Sequence, residues 1–336
     1  MGERISKNMH NELITDLGER ELIKRIALYM PKNQTSDDCA YLKIKKKNLL
    51  INTDLMIENT HFTDKSISPL DLGWKSITTN LSDLVSSGCD EIIGVKVGLV
   101  LTPNTDWDWV QKLYEGFNLA LSKFGGFILG GDCSKGLEKA ISITAFGSQG
   151  KLFLRRYHSK PNEIILTTGI HGLSRLGLEL NLNKISETTL LNKTKLIKDS
   201  IKAFCRPEPK HNILKQLIKS RPKNQKLKIG CTDSSDGFYK GIIDLAIESK
   251  CKAVIDYMKI PKHEYWPKGN KWDEFYFFGG EDYELIFSLP KKWAKELISI
   301  EKSVTEIGYF KEGKPSIEFS NYKNVEFSID NVFSHF

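Results

Sequence analysis

One pattern recurs in six places along this chain: an apolar run followed by Asp or Glu. TSDDCAYL carries Asp37 and Asp38, LLINTD carries Asp54, NLSDL carries Asp83, ILGGDCS carries Asp132, CTDSSDG carries Asp233 and Asp236, and FFGGEDYEL carries Glu281 and Asp282. Any one of these acids suits a turn or a cap. Asp83 differs, because it falls inside a helical pattern with Asn80 three residues before it and Leu81, Leu84 and Val85 beside it. A carboxylate near a buried helix face needs a partner. If the acids converge, each pair repels by roughly 4 kcal/mol at about 4 Å for an effective dielectric near 20. Either their protons then stay on or cations fill the site. Oxygen ligands without a Cys/His set select a hard cation, magnesium before zinc.

Magnesium held by aspartates points to phosphate chemistry. The G-x-x-x-x-G-K-[ST] loop is absent, as are the protein-kinase catalytic-loop and D-F-G motifs; Asp236-Gly237-Phe238 opens a helix instead. Gly130-Gly131 and Gly279-Gly280 each precede an acid, where bare backbone can approach a phosphate closely. The stretch INTDLMIENTHF adds Glu58 and His61 within a few residues of Asp54. No Ser/His/Asp or Cys/His arrangement stands out.

The 336 residues, 40% of them apolar, suffice for two domains with separate cores. The net charge of +7 is modest. Its densest cluster, Lys43, Lys45, Lys46 and Lys47, reads as a solvated strand edge or hairpin, and no basic stripe with interleaved aromatics suggests nucleic acid. Six cysteines (39, 89, 133, 205, 231 and 251) include no C-x-x-C pair, which suits a reducing cytoplasm. Cys39, Cys89 and Cys133 read as small packing residues, and His158, His171 and His211 as structural. No apolar run approaches the roughly 20 residues of a membrane span. MGERIS fits the loose myristoylation pattern, with nothing else pointing to a membrane.

The elements that must position the acids follow from periodicity. GERELIKRIALYM (18–30) is an amphipathic helix stopped by Pro31, and NLLINTD is a strand. A helix begins at Ser68 as N-cap, with Pro69 in its first turn, Asp71 three residues after the cap and Gly88 past its end. IIGVKVGLVL (92–101) is a strand. A second helix, capped at Thr105 and Asp108, buries Trp109, Val110, Leu113, Phe117 and Leu121 and closes at Gly125-Gly126, and strands FILGG and AISITAFGS follow. This predicts an α/β domain over 1–149. From 150 to 336 the chain alternates strand EIILTTG, a mostly helical stretch to RPEPK, strand KIGCTD, helix GFYKGIIDLAIES, strands KAVIDY and YELIFSLP, and a β-rich tail: a second α/β (α+β) domain.

In this order SDDCAYL, NTD…HF, NLSDLVSSG, ILGGD, LRRYHSKPNE, RPEPK, DSSDG and GGEDYEL resemble the thiamine-monophosphate kinase family, over nearly the whole chain. That family belongs to the ATP-binding superfamily of aminoimidazole ribonucleotide synthetase. The resemblance implies its two-domain fold, with N-terminal sheets pairing across a homodimer. It implies that Asp38, Thr53, Asp54, Asp83, Asp132, Asp233 and Asp236 are ligands of several magnesium ions. It implies that Gly131, Asp132, Arg156, Ser235 and Tyr114 contact ATP, and that His61, Glu281 and Phe333 contact thiamine monophosphate. Of the two adjacent arginines, Arg155 is expected to face solvent. The sequence departs from the family at Ser36, Asn52 and Ser234; an amide oxygen can ligate magnesium, so Asn52 is expected to keep an altered metal contact.

In the family reaction a phosphate monoester oxygen attacks the γ-phosphorus of ATP, giving thiamine diphosphate and ADP. The nucleophile is already anionic, so the task is positioning and charge neutralisation rather than general-base catalysis. Selenophosphate synthetase would need a reactive Cys or selenocysteine in its N-terminal arm and the hydrogenase-maturation enzyme a C-terminal one; MGERISKNMHNELITDLGE and FSHF have neither. A nucleotide or thiamine-phosphate sensor that has lost turnover is the rival of another class.

Overall fold

The computed structural model describes residues 40–44 and 47–321. The predicted helix 18–30, Asp37, Asp38, Cys39 and Phe333 lie outside these residues.

Two sheets follow one another along the chain. The first contains β1 (Ala40–Ile44), β2 (Lys47–Ile57), β3 (Cys89–Leu101), β4 (Ile128–Lys135) and β5 (Ala140–Gln149), in the order β1-β2-β5-β3-β4. Only β3 and β4 run parallel; β1 and β2 pair antiparallel, with Ile44 opposite Lys47, while Lys45 and Lys46 of the basic cluster lie outside the described residues. Helices α1 (Pro69–Ser86) and α2 (Trp107–Phe124) cover one face. Alternation sets that face: Ile141, Ile143 and Ala145 of β5 point to the helices and are buried, while Ser142 and Thr144 point away. Ile77, Leu81 and Leu84 of α1 join the same core, where each fully buried aliphatic side chain stabilises by about 1.5–3 kcal/mol.

Local signals placed α1 correctly. Ser68 Oγ accepts from the Asp71 backbone N–H at 3.2 Å, Pro69 opens the helix, and Gly88 takes φ +90° beyond its end. The predicted caps of α2 are corrected: its N-cap is Asp106, without a side-chain hydrogen bond, rather than Thr105 or Asp108. The chain also stays extended further than the acids suggested. Asp54 lies inside β2 and Asp132 inside β4, so neither marks a turn.

The second sheet contains β6 (Phe153–Leu154), β7 (Ile164–Thr168), β8 (Lys228–Asp233), β9 (Lys252–Asp256), β10 (Leu285–Leu289), β11 (Val304–Lys311) and β12 (Ser316–Ser320), in the order β12-β9-β11-β7-β10-β8-β6. Between β7 and β8 come α3 (Leu173–Asn181), α4 (Thr194–Cys205) and α5 (His211–Lys219). After β8 come α6 (Phe238–Glu248), α7 (Asn270–Phe278) and α8 (Lys291–Ile300). Phe238 and Ile242 of α6 pack with Ile165 and Ile286 of the sheet, while Trp293 of α8 and Leu217 of α5 pack with Leu166 and Phe287 from the neighbouring, oppositely directed positions. The sheet is therefore covered by helices on both faces, which explains its continuous apolar strands.

Candidate active site

A cleft of about 420 Å³ opens where α1 and β2 meet the turns of the second sheet. Asp54 from β2, Asp83 from α1 and Asp236 from the turn after β8 line it together. His61, Arg156, Ser235 and Glu281 complete the predicted residues that reach it, and Leu55, Met56, Leu178 and Phe278 supply an apolar wall.

Each polar side chain is held by its neighbours. The Ile57 backbone N–H donates to His61 Nδ1 at 3.1 Å, so the neutral ring carries its proton on Nε2. Arg156 Nε donates to Thr232 Oγ1 at 3.1 Å, and its Nη1 stands 3.7 Å from Asp244 Oδ2. Asn52 is buried; its Nδ2 donates to Asp83 Oδ2 at 2.8 Å and to Asn80 Oδ1 at 3.1 Å, while its Oδ1 has no hydrogen-bond partner. Asp233 sits one layer behind the cleft, buried, accepting from Ser82 Oγ at 2.5 Å and Ser235 Oγ at 2.9 Å. It thereby ties α1 to the turn that presents Ser235 and Asp236.

The second of the two GG–acid turns packs directly on that turn. The Glu281 backbone N–H donates to the Ser235 carbonyl at 2.7 Å, and a Cβ on Gly280 would lie 2.4 Å from the same oxygen, so only glycine fits. Asp282 serves the fold instead: it accepts from the Gly172 and Ser174 backbone N–H groups at 2.6 and 2.9 Å, at the start of α3. Burial pushes its carboxyl up to about 8 against those two donors.

Other predicted site residues lie elsewhere. Thr53 points to the opposite face of β2 from Asp54, its hydroxyl 2.9 Å from that of Thr144. Gly131 and Asp132 sit on the exposed edge strand β4. Asp132 is paired through Gly98 and Ser142 to Leu55, three strand spacings or about 14 Å across the sheet from the residue next to Asp54. Tyr114 of α2 neighbours this edge: burial, then Cys133, raises its phenol pKa. Two further expectations are corrected. Arg155 is buried rather than solvent-facing, because its Nη1 donates to the Ser87 carbonyl at 2.9 Å and its guanidinium lies over Phe153. Cys133 is exposed rather than packed, whereas Cys89 is buried and its thiol is pushed up to about 12 by burial.

Among the described residues no three His, Cys, Asp or Glu side chains converge closely enough to hold a metal ion alone. That is compatible with magnesium, which commonly takes one or two carboxylates and completes its shell with water and substrate phosphates. The all-oxygen donor set and the unpartnered, buried Asn52 Oδ1 fit such an ion.

Two ionisable residues that line the cleft, Tyr283 and Arg175, and one behind its lining, Lys75, escaped the motif reading. Tyr283 is buried against the acids: burial first, then the charges of Glu281, Asp54, Asp233 and Asp83, raises its phenol well above the ordinary value, so it is a neutral donor. Arg175 of α3 lines the cleft, paired with Glu179 at 2.8 Å. Lys75 of α1 is paired with Glu281 at 2.8 Å. The tyrosine stood inside GGEDYEL and was available as a signal; the two basic residues belong to no motif.

Residues 36–149 match the family model "AIR synthase related protein, N-terminal domain". A thiamine-monophosphate kinase of Prochlorococcus marinus is 43% identical over 326 residues, covering 97% of this chain and 98% of the relative. The chain belongs to the thiamine-monophosphate kinase family. Among solved structures, AaThiL complexed with AMPPCP and TMP aligns with a TM-score of 0.82 at 27% identity, over 97% of this chain and all of that one. The hydrogenase maturation protein HypE is alike in fold alone, at 15% identity and a TM-score of 0.65 over 87% of this chain and 91% of that one. The α/β architecture with two sheets is that of the thiamine-monophosphate kinase family.

Proposed function

We propose that this chain transfers the γ-phosphoryl group of ATP to thiamine monophosphate, giving thiamine diphosphate and ADP. The observation that carries this reading is one cleft that gathers Asp54, His61, Asp83, Arg156, Ser235, Asp236 and Glu281 from both halves of the chain. The resemblance to AaThiL complexed with AMPPCP and TMP supports the two substrates.

Arg156, oriented by Thr232 and Asp244, and Ser235 hold ATP phosphates; a guanidinium fork matches phosphate better than an ammonium does. His61 presents Nε2–H toward the substrate phosphate, a donor that strengthens if the ring is protonated. Glu281 and the apolar wall of Leu55, Leu178 and Phe278 take the thiamine rings, with Phe333 as a further contact. Asp54, Asp83 and Asp236 would hold magnesium directly, with Asp38, Thr53, Asp132, Asp233 and Asn52 Oδ1 as further ligands. The bound ions supply charge neutralisation between two polyanions.

The two domains of this proposal divide at 149/150: all strands of the first sheet precede that point and all strands of the second follow it. The β4 edge, unpaired among the described residues, and the outer face of the first sheet support a homodimer, in which the Gly131–Asp132 edge is offered to a second copy. Free thiols at all five described cysteines and the absence of a helix long and apolar enough to cross a membrane among the described residues accord with a cytoplasmic enzyme.

Mass analysis of products after incubation with ATP, magnesium and a panel of phosphorylated acceptors tests the reading. Thiamine diphosphate and ADP are expected from thiamine monophosphate, with free thiamine a poor acceptor because it lacks the anionic nucleophile. Binding of thiamine monophosphate without ADP release would identify a sensor instead.

A further inference from the structure

Lys75 is a buried cation behind Glu281, which lines the cleft. Its side chain is 3% exposed, its Nζ is 2.8 Å from Glu281 Oε2, and the same Nζ lies 3.8 Å from the centre of the Phe204 ring on α4. An ammonium removed from water needs a carboxylate and gains from an aromatic face, and Lys75 has both. Glu281 is 34% exposed toward the cleft, so one end of the pair is sealed and the other open.

The position of Lys75 on α1 gives the pair its use. Lys75, Thr79 and Asp83 are spaced i, i+4, i+8 and form a row along one helix face, and Thr79 and Asp83 both line the cleft. Eight residues of helix separate Lys75 from Asp83 by about 12 Å. One end of the row faces the acids proposed for magnesium; the other grips Glu281, the proposed thiamine contact. Glu281 is anchored twice, through its backbone N–H on Ser235 and through its carboxylate on Lys75, and it holds a left-handed φ of +66°. The pair is neutral as a unit, so Glu281 adds no net charge to Asp54, Asp83 and Asp236.

We propose that Lys75 is a positioning residue for substrate recognition, fixing the Glu281 carboxylate at a set distance from Asp83 so that the thiamine end is held while phosphate chemistry proceeds at the other. The inference rests on the assignment of Glu281 to thiamine monophosphate, and the variants separate the two. Lys75→Met keeps the volume against Phe204 and removes the charge. It is expected to raise the KM for thiamine monophosphate about tenfold, the loss of one charge-assisted contact, with the KM for ATP changed less than about twofold and kcat nearly kept. Lys75→Arg should recover part of the loss. The double variant Lys75→Met/Glu281→Gln should be no worse than Glu281→Gln alone. If Glu281→Gln leaves KM unchanged, the Glu281 assignment fails. If Glu281→Gln raises KM but Lys75→Met does not, or the two effects add, the positioning role fails. Should Lys75→Met melt below the assay temperature, Lys75→Gln carries the same comparison.

Discussion

Asn52 Nδ2 stands 2.8 Å from Asp83 Oδ2, and this contact fixes the polarity of a three-residue network. Asn80 spends its own amide N–H on the Ser76 carbonyl at 3.0 Å, so its Oδ1 must accept from Asn52 at 3.1 Å. Asn52 therefore has to present its NH2 to two acceptors. Asn52→Asp would replace that donor with a second carboxylate facing Asp83 and Asn80 Oδ1. Repulsion of roughly 4 kcal/mol is expected for like charges about 4 Å apart at an effective dielectric near 20. Thermal melting should show a lower Tm without magnesium, partly restored by magnesium, while Asn52→Ser loses less. An unchanged melting curve for Asn52→Asp would remove the polarity argument.

Asp54 and Asp83 are only part-buried and face the cleft, so neutral replacements leave the core of α1 and β2 intact. Asp54→Asn and Asp83→Asn are each expected to abolish ADP release while keeping the circular dichroism spectrum of the parent. Turnover retained in either variant would end its assignment to magnesium.

How far the sequence carried can be judged from particular residues. Local chemistry was legible: the Ser68–Pro69 start of α1 and the Gly125 end of α2 depend on neighbours a few positions away. Helices α5, α7 and α8 were not anticipated, and each begins without a side-chain cap, at Lys210, Gly269 and Pro290. The acidic motifs singled out Asp54, Asp83, Asp236 and Glu281, which the fold gathers around one cleft. Lys75 was invisible because its carboxylate partner lies 206 residues away. Arg155 was misjudged because its partners are backbone carbonyls and a ring, which leave no compositional trace.

Two buried histidines give the fold a defined acid sensitivity. His171 is fully buried with Nε2 2.7 Å from Thr167 Oγ1, and burial, then Lys210, lowers its pKa to about 3. Burial, then Lys215, lowers that of His211 to about 4. Both remain neutral in the folded state where the unfolded chain, with an ordinary value near 6.5, takes up protons. Their contribution is thus complete above about pH 6.5 and is lost as pH falls toward the folded values, with a slope of up to about 1.4 kcal/mol per pH unit for His171 and less for the part-exposed His211. Denaturant unfolding at pH 6.5 and 5 should give a smaller stability difference for His171→Gln/His211→Gln than for the parent. Equal differences would place the acid sensitivity elsewhere.

The β4 edge makes the last prediction, because it joins a strand edge left unpaired among the described residues to a site residue that one chain leaves apart. Phe127 and Leu129 are 63% and 43% exposed there, beside Gly131 and Asp132. An open edge with exposed apolar side chains invites a second strand or sheet. Asp132 lies about 14 Å across the sheet from the Asp54 region of its own chain, too far for one magnesium ion to bind both at about 2.1 Å. If a homodimer of the kind proposed uses this edge, Phe127→Asp and Leu129→Asp should cost a separate chain little, since surface substitutions usually stay within about 0.5 kcal/mol. They should nevertheless shift sedimentation from dimer to monomer and reduce turnover together. A parent that sediments as a monomer at full activity, or variants that stay dimeric, would leave Asp132 without a route to the cleft and remove it from the proposed ligands.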